Sequence, residues 1–166
     1  MSKRLTEIKT ERIKGIFWRG IPERFVSTSL EPGPNFHRST RYSVQRLFSG
    51  LYFSSSVDLS KAEIAGKVGE DGEPVKFLKY EIDIDDIVDF RNQKSRDVFG
   101  VTLEEITRHK SETGAYNATQ RIAKTLYDNG IQGLIAPSAH HPSNAEWANL
   151  VIYPANVIRA FIREKS

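Results

Sequence analysis

The sequence predicts a single mixed α+β domain of short strands and helices. Three observations predict it. A chain of 166 residues has the length of one compact domain with enough core to fold unaided. Short apolar runs of strand length recur between polar connections that contain glycine and proline. One stretch, Asn117 to Asn129, carries apolar residues at helical period instead, so strands alternate with helices. Residues 1–12 are polar and read as an N-terminal arm, leaving residues 13–166 as the folded domain.

Taken in order, Ile13 to Trp18 is a short strand that ends at Arg19-Gly20. Residues 27–40 are rich in Ser, Pro and Gly and form a loop. Leu51-Tyr52-Phe53, just after Gly50, is a buried strand. Asp58 then caps a helix that Gly66 closes. Glu70 to Pro74 is a turn, and Val75 to Ile84 alternates as a strand does. The acidic residues Asp83, Asp85, Asp86 and Asp89 lack the glycine and spacing of a calcium loop and read as a solvated turn. Thr102-Leu103-Glu104-Glu105 is a capping box at the start of a further helix. In the Asn117–Asn129 helix, Ala118, Ile122, Ala123, Leu126 and Tyr127 share one face. Gln120 sits in the first turn, and Gly130 ends the helix. Leu134 to Ala136 and Leu150 to Ile152 are strands around a polar loop. Val157 to Ile162 is a last element that fits strand or helix equally.

Composition removes several kinds of chemistry. With no cysteine, disulfide scaffolds, thiol nucleophiles, thiolate zinc and cysteine-ligated clusters are excluded. The four histidines (His37, His109, His140, His141) are too scattered for a metal centre, and adjacent side chains such as His140 and His141 point apart on an extended loop. No metal is expected. No apolar run approaches a membrane span, and the charged opening Met1 to Glu7 lacks a signal peptide's apolar core. The expectation is a cytoplasmic protein without a membrane partner. The net charge of +3 conceals an uneven distribution. Residues 1–50 carry +6, residues 51–105 carry −6 and the remainder +3. From Arg19 on, the basic segment is dominated by arginine, whose planar fork suits phosphate. A solvated basic face is the plainer account of the same charges, and nucleic acid as a direct partner is not expected.

The familiar fingerprints are missing: no G-x-G-x-x-G, P-loop, G-x-S-x-G or H-E-x-x-H. What remains is a set of polar residues at the ends of apolar elements: Arg19, Arg41, Tyr52, Glu63 and Ser138. Taken singly, Arg19 reads as a surface ion pair, Tyr52 as a core aromatic, Glu63 as a helix-surface charge and Ser138 as a turn residue after a proline. Glu63 has small or apolar helical neighbours (Leu59, Ala62, Ala65), so its carboxylate needs a partner or a substrate.

Their order and spacing resemble the RES domain family. The motifs that carry the resemblance are Phe17-Trp18-Arg19, Arg41-Tyr42-Ser43, Leu51-Tyr52-Phe53, Lys61-Ala62-Glu63, Thr119 to Ala123, Gly130 to Ala139 (GIQGLIAPSA) and Asn149 to Tyr153 (NLVIY). They run from about Ile16 to Tyr153. The sequence departs from the family where Ser43 follows Arg-aromatic in place of Asn, and in the loop HHPSNAEW. The resemblance implies a fold similar to the ADP-ribosyltransferases of the diphtheria-toxin type. It also implies a toxin of a bacterial toxin–antitoxin pair that breaks the nicotinamide–ribose bond of NAD⁺. The acceptor of the ADP-ribose is water or phosphate, or in some members of the family a protein, and the resemblance leaves that choice open. The implied partner is a helix-turn-helix antitoxin of the Xre type, with a homo-oligomer within that complex also compatible. Carried over by position, Arg19, Arg41, Tyr52, Glu63 and Ser138 line the NAD⁺ pocket, with Arg19, Glu63 and Ser138 catalytic.

The chemistry agrees with those implied roles. Arginines neutralise the two phosphates. A carboxylate such as Glu63 stabilises the positive charge that grows on the ribose, as in glycoside hydrolysis. Tyr52 offers a flat face, and Ser138 a hydroxyl for the amide or a sugar. Nicotinamide leaves as a neutral ring, so no general acid is required. Two other classes stay open. Phe17-Trp18-Arg19-Gly20 with Ser27-Thr28-Ser29 loosely resembles the Arg-Ser-Glu protein mono-ADP-ribosyltransferases, although the late Glu-x-Glu of that class is missing. A non-enzymatic nucleic-acid-binding module would use the basic segment and bind with strong salt dependence.

Overall fold

Strand β1 (Glu11–Pro22) sets the frame, and in the computed structural model it pairs antiparallel with β3 (Val75–Asp89) along nearly its whole length. The structure describes residues 6–31, 40–68 and 74–165. The pairing runs from Pro22 opposite Val75 to Ile13 opposite Ile84, then slips so that Glu11 faces Ile87. That slip is a bulge in β3, and Asp86 takes the left-handed conformation there (φ 60°). The acidic run is therefore strand and not the solvated turn expected. Tyr80, Ile82 and Ile84 point inward, while Asp83 and Asp85 point out toward Arg12. Arg12 belongs to β1, which begins at Glu11 within the stretch read as an arm. Buried Gln132 fastens the bulge: its Nε2 donates to Asp85 O at 2.7 Å, and its Oε1 accepts from the backbone of Ile158 and Arg159.

The other strands are β2 (Leu51–Ser54), β4 (Gly133–Pro137), β5 (Ala148–Ile152) and β6 (Ala160–Lys165). β5 lies antiparallel between β2 and β4, and β2 touches β1 at Trp18 opposite Ser54. β4 runs parallel to the end of β3, from Ile87 opposite Gly133 to Asp89 opposite Ile135. Parallel neighbours need a crossover. It is supplied by helices that follow β3: α2 (Gln93–Phe99), α3 (Leu103–Thr107) and α4 (Asn117–Asp128). Helix α1 (Val57–Val68) follows β2. The pairings β1–β2–β5–β4–β3 thus return to β1, and β6 occupies the remaining edge of β3. The last element is a strand, and it starts at Ala160, after the Val157–Arg159 segment held by Gln132.

Two cores follow from the alternation of side chains across the strands. Phe17, Ile21, Phe53, Tyr80, Ile82, Ile135 and Leu150 fill one. On the opposite face, Leu134, Ala136, Val151 and Tyr153 pack under Ile106 of α3 and Ile122, Ala123 and Leu126 of α4. The α4 face is the one its 3.6-residue period predicts, and the Thr102–Glu105 capping box is present on both sides. Two details differ from the sequence reading. Helix α1 is capped by Ser56, whose Oγ accepts from Leu59 N at 3.1 Å; Asp58 lies within its first turn, and the helix runs past Gly66 to Val68 instead of closing there. Helix α2 buries no residue and so has no apolar period to reveal it; Asn92 caps its start and Gly100 (φ 63°) its end. The turn expected at Glu70 to Pro74 and much of the 27–40 loop lie outside the described residues. Among the described residues no helix is long and apolar enough to cross a membrane.

The Gly130-x-x-Gly133 spacing has two separate causes. Gly130 leaves α4 with φ 72°, while at Gly133 a side chain would start 2.2 Å from the Val151 carbonyl oxygen. Gly133→Ala is therefore expected to cost at least about 1–3 kcal/mol in urea unfolding. Gly15→Ala, which meets only ordinary contact with Phe17 at 3.6 Å, stays within about 0.5 kcal/mol. A second expectation concerns pH. The hydrogen bond from Arg12 holds the Asp83 carboxyl below its ordinary value. A depressed carboxyl stabilises the fold above the unfolded value of about 3.9, and that contribution is lost as pH falls through the lower folded value. The difference in urea midpoint between the parent and Arg12→Ala should be present at neutral pH and vanish in acid.

Candidate active site

Arg19 lies on β1 between Phe17 and Ile21, and the period of two turns its side chain onto the core face with them. The surface ion pair expected of it alone is not what the structure shows. Nη1 donates to the Tyr52 carbonyl of β2 at 3.2 Å, and the guanidinium lies 5.8 Å from the centre of the Phe53 ring. Nε is buried without a hydrogen-bond partner, and among the described residues no carboxylate pairs with the group. Burial lowers its pKa from the ordinary arginine value, but a guanidinium stays charged.

Tyr52 faces the other side of β2. Its ring packs against the second core, and its hydroxyl is a hub for the segment before it. The hydroxyl accepts from Tyr42 N at 2.9 Å and lies 2.5 Å from Thr40 Oγ1 and 3.2 Å from Ser43 Oγ. Burial raises its pKa, so the phenol remains protonated and able to donate. The same segment is held from α4 by Gln120, whose Nε2 donates to Thr40 O at 2.9 Å and Ser43 O at 3.3 Å. Ser43 Oγ accepts from Gly50 N. Arg41 rides on this segment. Two of its N–H groups donate to Ile106 O (3.1 Å) and Arg108 O (2.8 Å), and it stacks 4.9 Å from Tyr116. Among the described residues its other three N–H groups have no hydrogen-bond partner.

Glu63 projects from α1, half-exposed. Its Oε1 accepts from Asn149 Nδ2 of β5 at 2.9 Å, and its Oε2 is 3.4 Å from Nε2 of His140. The expectation that this carboxylate has a partner is met, and the partner is Asn149. Ser138, fully buried just after β4, accepts from His140 N through its Oγ at 3.1 Å and keeps its own proton to donate. In the antiparallel register Ser54 faces Asn149 and Ala136 faces Asn149. Tyr52, Asn149 and Ser138 therefore share one face of β2–β5–β4. The structure brings Tyr52, Glu63 and Ser138 to that face, with Arg41 on the segment tied to Tyr52. Arg19 approaches from the opposite, core side, through the Tyr52 backbone. Among the described residues no three His, Asp or Glu side chains converge to hold a metal.

The RES domain matches residues 16–165. The chain belongs to the RES domain family. Its fold is also that of a chain in the crystal structure of the M. tuberculosis MbcT–MbcA toxin–antitoxin complex. The TM-score is 0.74 at 14% identity, covering 99% of this chain and 88% of that one. No curated protein matches the chain in sequence. The mixed α+β single domain read from the sequence is thus the RES fold.

Within this RES domain, sequence reasoning missed Asn149, His140 and Gln120 as site-building residues. Asn149 had a signal: a polar residue opening an otherwise apolar strand, inside the NLVIY motif. His140 had none, because loop closure decides what it faces. Ser27-Thr28-Ser29 lies at a 3-10 turn (Glu23–Thr28), where Ser29 Oγ bonds the Tyr80 hydroxyl at 2.7 Å. Tyr52→Phe keeps the ring but strips the acceptor from Tyr42 N. It should lower stability by about 1–3 kcal/mol in urea unfolding, whereas Tyr116→Phe should change it little.

Proposed function

We propose that this RES domain is the toxin of a toxin–antitoxin pair and that it destroys NAD⁺ by breaking the nicotinamide–ribose bond. The observation that carries the reading is Arg19, a partly buried guanidinium that has no counter-ion among the described residues and whose Nε is buried and unpartnered. An uncompensated buried charge is costly, and an anionic ligand that arrives at it recovers that cost. The pyrophosphate of NAD⁺ is such a ligand. Arg41, whose other three N–H groups have no hydrogen-bond partner among the described residues, is assigned to an NAD⁺ phosphate on the Tyr52 side.

The nicotinamide ribose is assigned to Glu63. As the C1′–N1 bond breaks, its electron pair goes to the ring, which leaves as neutral nicotinamide, and positive charge spreads over C1′ and the ring oxygen. Asn149 holds one carboxylate oxygen of Glu63, and the negative charge of the group is set against the charge that develops. Ser138, through its free proton, and Tyr52, through its ring, orient the nicotinamide end. Water or phosphate then adds to C1′ and gives up its proton to solvent. Family membership over residues 16–165 supports the reading, and the toxin–antitoxin complex of similar fold supports an antitoxin partner. The helix-turn-helix, Xre-type identity of that antitoxin and the cytoplasmic setting rest on the family resemblance.

The test is nicotinamide release from NAD⁺ by the purified protein, followed chromatographically. Arg19→Ala and Glu63→Gln should each lower kcat/KM by about 10²–10³-fold with an unchanged circular dichroism spectrum. Release of no nicotinamide by the parent, or parental rates in both variants, overturns the proposal.

A further inference from the structure

The loop between β4 and β5 brings a histidine to Glu63, and neither the sequence motifs nor the roles above use it. We propose that His140 is a positioning residue for the Glu63 carboxylate; the inference rests on the NAD⁺-cleaving reading and adds a residue to that site. Three observations carry it. First, the Nε2 of His140 lies 3.4 Å from Oε2, the oxygen that Asn149 leaves free, so the carboxylate is flanked on both oxygens. Second, the backbone aims the ring. Ser138 Oγ accepts from His140 N at 3.1 Å, closing a serine turn directly after the buried end of β4. Third, the loop that carries His140 is closed upon itself and bolted to the α1 side. Ser138 N donates to Trp147 O and Trp147 N to Asn144 O, both at 3.0 Å. Ser55, two residues ahead of α1, accepts from Ala148 N at 2.9 Å and donates to Glu146 O at 2.5 Å. The loop and the helix that bears Glu63 are therefore fixed to the same short stretch of chain.

The consequence is geometric. A glutamate on a half-exposed helix face has several rotamers, and a carboxylate that must meet charge at C1′ gains from having one. Asn149 alone fixes one oxygen and leaves the group free to swing about that bond. A histidine ring nitrogen 3.4 Å from the second oxygen narrows that swing. His141, the adjacent residue, turns away and meets the edge of Trp147 at 5.4 Å, so it has no part in this arrangement.

Steady-state kinetics of nicotinamide release separate this role from simple loop packing. His140→Ala should lower kcat by roughly 10- to 100-fold with KM within about twofold of the parent. His140→Gln, which keeps a donor at similar reach, should recover most of that loss, and His141→Ala should match the parent. Parental kcat in His140→Ala, or equal losses in the Ala and Gln variants, overturns the proposal. A second readout needs no turnover: the ring ¹⁵N resonances of His140 should move in Glu63→Gln while those of His109 stay. Should the parent release no nicotinamide, the NAD⁺ reading falls, and the resonances decide the contact. A shift there sustains His140 as the residue that positions Glu63, and no shift overturns it.

Discussion

Burying one guanidinium sets the terms for the rest of this molecule. Arg19 sits on a strand face that Phe17 and Ile21 otherwise make apolar. The effective penalty for such a charge is several kcal/mol. The fold offsets part of it with a single carbonyl and an aromatic ring, Tyr52 O and Phe53, both from β2. β2 is four residues long and meets β1 at one pair, Trp18 and Ser54, so its position depends on what holds it from the far side. That is β5, which pairs with all four of its residues. The arrangement that steadies Arg19 is therefore the one that sets Asn149 beside Glu63.

The same strand organises the opposite face. Tyr52 offers its carbonyl to Arg19 and its hydroxyl to the 40–43 segment, so a single residue links the core-side cation to the segment that bears Arg41. β5 can approach β4 closely enough to support β2 only because Gly133 has no side chain to strike the Val151 carbonyl. The glycines of the family motif thus act at a distance from the candidate site. One ends α4, and the other sets the spacing of the strands on which the site is built.

Much of this was readable in the sequence, and the failures have identifiable causes. Strands β2, β4 and β5 are apolar runs buried on both faces, and α4 has a full apolar stripe, so local pattern sufficed. β3 was cut short because Asp83 and Asp85 are the outward half of an alternation whose inward half is Ile82 and Ile84, and the bulge at Asp86 then breaks the period. Helix α2 buries nothing and leaves no periodic trace. In the site, Phe17-x-Arg19-x-Ile21 already places Arg19 on an apolar face by parity. The small neighbours of Glu63 already call for a partner. Which residue that partner is depends on a contact across 86 positions, and no local pattern encodes it.

That long contact has a bearing on how the protein is made. Ribosomes add about 5–20 residues per second, so Glu63 leaves synthesis roughly 4–17 s before Asn149 exists to bind it. β5 also carries the only strand edge that holds β2 among the described residues besides the single pair with β1, so the support for Arg19 arrives at the same moment. A nascent chain stopped between residues 128 and 149 has the basic segment, the glutamate and the helices, but its carboxylate lacks Asn149 and its strand β2 lacks β5. The candidate site is completed late and all at once, as translation passes β5.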